Sequence, residues 1–106
     1  MVVVVIDLRV SDVIKTLPAL RDLRREAMRQ LGYISGTTLV GAEDRSLISI
    51  ETIWESIKDW NEWEKSETQM KLFRKILPFL LEKSNIKIYR YLSYRADPHI
   101  TDSEKD

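Results

Sequence analysis

The chain has 106 residues, 43% of them apolar and 32% charged, which fits one soluble domain whose core is thin enough to gain from a partner subunit. Its 17 Lys and Arg balance 17 Asp and Glu, so the positive field that draws proteins onto nucleic acid or an anionic membrane is missing, and neither partner is expected. With no cysteine and a single histidine, His99, the chain lacks thiolate sites and histidine clusters, and no protein-held metal is expected.

The opening "MVVVVIDLRV" has no basic region ahead of it, turns polar at Asp7 and is far shorter than the roughly 20 residues that span a bilayer, so a cytoplasmic protein is expected. It is rich in β-branched residues. Val2, Val4, Ile6, Leu8 and Val10 form one apolar face at period two, and Val3 and Val5 begin the other. This predicts a strand covered on both sides in its first half. Ser11 or Asp12 can then cap a helix carrying Val13, Leu17, Leu20, Ala27 and Leu31 at helical spacing, with Pro18 tolerable near the first turn and Gly32 as the stop. Arg21, Arg25 and Arg29, interleaved with Asp22 and Glu26, read as a solvated face with ion pairs.

A hairpin follows, with a strand from Tyr33 to about Val40, a turn over Gly41 to Arg45 and a strand from Ser46 to Glu55. Ile48, Ile50, Thr52 and Trp54 share the more apolar face of the second strand; Glu51 and Glu55 lie on the other. Ser56 predicts a cap for a short helix, and Ser66 with Gln69 matches a capping box for the next, which buries Met70, Phe73 and Leu77 before Pro78 bends or ends it. "IKIYRYLSY" predicts the last strand. Residues 1–94 thus form the folded unit and 95–106, with almost no apolar content, a polar tail that includes His99.

The order strand, helix, strand, strand, helix pair, strand predicts an α+β, ferredoxin-like split βαβ fold: a four-stranded antiparallel sheet with helices on one face. A second copy covering the opposite face would give a dimeric α/β barrel, a homodimer through its sheet faces.

Three stretches carry a family resemblance: "ETIWESIKDWNEWEKSE", above all the Trp54-Glu55-Ser56 step and the spacing from Trp54 to Ser66; "KILPFLLEKSNIKIYRYLS"; and "GYISGTTLVGAED". In this order they resemble the antibiotic biosynthesis monooxygenase domain family, dimeric α+β barrels, over about Val2 to Tyr94. The resemblance implies that fold, and it admits small oxygenases that oxidise polycyclic phenols or quinols without metal or flavin, haem-degrading enzymes and domains of other roles. No cofactor is expected. Haem is not expected either, because "VVVVIDLRV" has no asparagine and the helices carry no histidine to ligate iron. Many members have histidine at the places of Trp63 and Thr68, and some catalytic members have asparagine at the place of Ile50.

An oxygenase without a cofactor needs an electron-rich substrate anion, a dry aromatic-lined pocket and a group that handles the phenolic proton. Trp54, Trp60, Trp63, Met70 and Phe73 are the candidate substrate-binding residues, with plain core or a dimer interface as the competing role for the tryptophans. No catalytic residue is singled out; for proton transfer the choices are Glu51, Glu55, Glu64, Tyr33, Tyr89 and Tyr91, with Arg74 as an oxyanion holder. The expected function is a cofactor-independent monooxygenase-like protein acting on a small aromatic of the quinol or polyphenol type. Its rival is a non-catalytic dimeric module that binds a small molecule in the same pocket.

Overall fold

A computed structural model describes residues 1–92; the expected tail, with His99, lies outside the described residues. In chain order the elements are β1 (Val2–Arg9), α1 (Val13–Ala27), β2 (Tyr33–Val40), β3 (Leu47–Trp54), α2 (Ile57–Lys65), α3 (Glu67–Phe73), a 3₁₀ turn (Leu77–Phe79) and β4 (Asn85–Arg90). The strands form one antiparallel sheet in the order β2-β3-β1-β4. This is the α+β ferredoxin-like fold. No helix among the described residues is long and apolar enough to cross a membrane.

The period-two pattern of β1 sets the core. Val2, Val4, Ile6 and Leu8 face the helices and are buried, opposite Trp54, Thr52, Ile50 and Ile48 of β3. The helical layer stops short of β4, whose Ile86 and Ile88 lie in the same rows as Ile6 and Val4 but remain exposed. On the far side of the sheet, Val3 pairs with Ile53 and Tyr89, and Val5 with Glu51 and Lys87. Among the described residues, no element covers that face.

α1 departs from the sequence reading in two places. Its cap is Asp12, whose Oδ1 accepts from the Lys15 amide at 3.0 Å. Pro18 then falls at the sixth helical position, past the first turn near which the sequence reading makes it tolerable. Its ring leaves the Ile14 carbonyl without an i+4 donor, and the helix tolerates this because Ile14 is 68% exposed and water can reach that oxygen. The second departure is on the apolar stripe, where Leu17 and Leu31 are 39% and 84% exposed. The amides of Arg29 and Gln30 bond three residues back, to Glu26 and Ala27, so the helix has unwound before Leu31. Gly32 completes the stop at φ +86°, and any side chain there would collide with that of Asp59 at the start of α2.

β2 pairs with β3 through one irregularity: Tyr33 faces Trp54 and Ser35 faces Ile53, leaving Ile34 without a partner. Tyr33 and Gly36 therefore both point toward the helices. α3 is also shifted from expectation. None of its residues is fully buried, Met70 is 43% and Leu77 50% exposed, and the residue that enters the core is Ile76. Tight i+3 bonds from Lys75 to Leu72 and from Ile76 to Phe73 end the helix early and rotate Ile76 inward in place of Leu77.

Arg9, at the end of β1, donates to Asp44 in the β2–β3 turn and to Glu82 before β4, both at 2.9 Å. Asp44 is held below the usual carboxylate range, first by the hydroxyl and amide of Ser46 and then by Arg9. A depressed carboxylate contributes stability above its unfolded pKa and loses it as pH falls through its folded value. The expected result is that wild type and Asp44→Asn differ in urea midpoint by a constant amount above about pH 5, and that the gap closes as the carboxylate protonates below about pH 4. A gap independent of pH would show that this turn draws no stability from the charge.

Candidate ligand cleft

β3 ends in Trp54, which lies fully buried between its neighbours Val2 and Tyr33 on the adjoining strands. Its indole Nε1 donates to Thr52 Oγ1 at 2.9 Å, so the one polar atom of the ring is satisfied. Tyr33 meets it edge-on at 5.5 Å and Trp60 at 5.9 Å. Trp60 and Trp63 sit three apart on α2 and both are buried. α2 starts at Ser56, whose Oγ accepts from the Asp59 amide at 3.1 Å. Ser66 then joins the two helices, accepting from the Gln69 amide at 3.1 Å and donating to the Trp63 carbonyl at 2.8 Å.

A cleft of about 40 Å³ lies between this aromatic group, α1 and the inner face of the sheet. Ile6, Ile50 and Thr52 form its floor, Leu20, Leu23 and Ala27 one wall, and Trp60 and Trp63 another. Tyr33 and Gly36 close the β2 side. The mouth is marked by the exposed residues Arg24, Thr37 and Thr38, with Gln69 beside them. Arg24 Nη2 donates to the Gly36 carbonyl at 3.2 Å and so ties α1 to β2 across the opening. The space holds a few waters at most, whereas pockets for organic ligands are typically about 300–1,000 Å³, so an aromatic ring would have to displace the side chains at the mouth.

Of the residues expected to bind substrate, Trp60 and Trp63 border the cleft. Trp54 stands one layer behind them. Met70 is exposed and does not border the cleft, and Phe73 packs half-buried against the core without lining the opening. Among the proton-transfer choices, Tyr33 is at the cleft. Glu51 and Tyr89 are on the far face of the sheet, while Glu55, Arg74 and Tyr91 are exposed. Glu64 is half-buried on α2 but does not border the space. Among the described residues no group of three acidic or histidine side chains is gathered that could hold a metal ion.

No family model matches the chain, and no curated protein matches its sequence. Solved structures do match. An antibiotic biosynthesis monooxygenase superposes with a TM-score of 0.81 over 88% of this chain and 100% of its own, at 13% identity. SnoaB, a cofactor-independent oxygenase from Streptomyces nogalater, gives 0.79 over 91% of this chain and 97% of its own, at 10% identity. A conserved protein from Methanosarcina mazei Go1 gives 0.79 over 84% and 90%, at 19% identity. The fold is that of the antibiotic biosynthesis monooxygenases.

Within this antibiotic biosynthesis monooxygenase fold, two of the places where the sequence departs from the family pattern are at the cleft. Ile50 forms part of the floor and Trp63 part of a wall, so both of these positions are apolar here. Thr68, the third, is exposed on α3.

Reasoning from the sequence misses Arg24, because the arginines that stand out there are those spaced by four. Arg25 and Arg29 do lie on the solvated face, paired with Asp22 and Glu26 at 3.4 and 3.3 Å. Arg24 belongs instead to the stripe of Leu20, Leu23 and Ala27, four residues after Leu20 and three before Ala27. A charge on an apolar stripe is the signal that could have found it.

Proposed function

We propose that the chain is a cofactor-independent monooxygenase-like protein acting on a small aromatic of the quinol or polyphenol type, assembled as a homodimer through the outer face of its sheet. The observation that carries this reading is the apolar cleft walled by Trp60 and Trp63, with the phenol of Tyr33 at its side, on a fold shared with a cofactor-independent oxygenase. In such chemistry the substrate anion gives electrons to oxygen directly. The protein holds the ring, excludes water and handles one proton. Indole faces suit the first two tasks, and Tyr33 is the cleft residue suited to the third. The homodimer is supported by the apolar side chains Val3, Val5, Ile53, Leu39 and Tyr89 on the outer face, which no element among the described residues covers.

A second reading, a non-catalytic module that binds a small aromatic, is favoured by the apolar Ile50 and Trp63 and by the absence, among the described residues, of any acidic side chain along the cleft. Oxygen uptake with a panel of hydroquinones, set against heat-denatured protein, separates the two. Uptake above autoxidation is the expected result. Saturable quenching of tryptophan fluorescence with no uptake would establish the binding module, and neither signal would dismiss both.

A further inference from the structure

We infer that the polar end of the cleft, where Tyr33 and Arg24 meet at Gly36, is a subsite for an ionised oxygen on an aromatic ring, so that the ligand is an aryl carboxylate or phenolate and not a neutral arene. This rests on the cleft being a ligand site. Two groups build the subsite. The Tyr33 hydroxyl occupies the space that a Cβ on Gly36 would fill, which only glycine leaves open. That hydroxyl has no hydrogen-bond partner among the described residues. The Arg24 guanidinium, one turn of helix from Leu20, has no carboxylate partner among the described residues, in contrast to Arg25 and Arg29 beside it. Its hydrogen bond at the mouth goes to the neutral Gly36 carbonyl at 3.2 Å.

This arrangement discriminates by charge. A guanidinium bonds an anionic oxygen more strongly than a neutral carbonyl, so an anionic ligand can draw Arg24 off Gly36 and open the mouth as it enters. A neutral arene must break the same bond with nothing to replace it. Below the mouth the apolar walls take the ring, while the Tyr33 hydroxyl donates to the same oxygen. Arg24 is therefore a specificity residue in this reading, and Tyr33 its companion donor.

Tryptophan fluorescence titration tests this with naphthoate and its carboxamide, which match in shape and differ in charge. Wild type is expected to prefer naphthoate by about tenfold, and Arg24→Gln to remove that preference, chiefly by weakening naphthoate. Tyr33→Phe should weaken naphthoate by about fivefold and keep the ring packing on Trp54. Para-nitrophenol provides the phenolate arm. Its absorbance reports its own ionisation, and bound to wild type it should ionise at lower pH than free in solution, with the shift lost in Arg24→Gln. A shift without naphthoate preference would narrow the class to phenolates, and the reverse to carboxylates. Equal binding of naphthoate and carboxamide with no shift of the phenol would overturn the anion subsite and spare the cleft as a ligand site. Failure of every probe to bind would overturn both.

Discussion

Trp54→Ala is expected to lose about 3–5 kcal/mol of folding stability, a loss on the scale of the whole margin of a small domain. Trp54 is fully buried and touches three elements: Val2 across β1, Tyr33 across β2 and Trp60 on α2. Removing the indole leaves a cavity that the sheet cannot close, because the backbone of β3 is pinned on both sides by β1 and β2. It also orphans the Thr52 hydroxyl, its partner at 2.9 Å. Trp54→Phe keeps part of the volume and both edge-on ring contacts, so about 2 kcal/mol is expected. Urea denaturation followed by far-ultraviolet circular dichroism measures both. An alanine variant within about 1 kcal/mol of wild type would mean that this aromatic group is not the keystone of the core.

Ile53→Lys is expected to convert the proposed dimer into separate subunits. Ile53 faces away from the helices, flanked by Val3 on β1 and Ser35 on β2, on the side of the sheet that no element among the described residues covers. In a two-fold assembly each substitution occurs twice, and burying an unpaired ammonium at about 2 kcal/mol per copy weakens association by roughly a thousandfold. The isolated subunit tolerates the change, since a long side chain on this half-buried outer position can keep its ammonium in water. Sedimentation velocity over a range of concentrations reads both forms. Wild type sedimenting as a single subunit at the highest concentration would remove the homodimer from the proposal.

The sheet is legible in the sequence because its signals are local: β-branched residues at period two in β1, turn residues between β2 and β3, and serines three residues ahead of their capped amides at Asp59 and Gln69. The face of Trp54 follows from the same alternation. What escapes are features decided by tertiary geometry. Pro18 sits mid-helix because of how Ile14 meets solvent, and Ile76 replaces Leu77 in the core because two tight turns end α3 early. At the cleft, the spacing of Trp60 and Trp63 is enough to place them. That of Arg24 is not, since only the packing of α1 against β2 tells a guanidinium over an opening from one in water.

The unpartnered Ile34 bears on how this chain is compared with others. Counting along β3, Trp54, Ile53 and Thr52 meet Tyr33, Ser35 and Gly36, so the segments before and after Ile34 are already in phase as though it were absent. A lineage that dropped this supernumerary residue would present the same side chains inward, whereas a length change elsewhere in the strand would turn half of it inside out. Alignments of distant members should open a gap of one here.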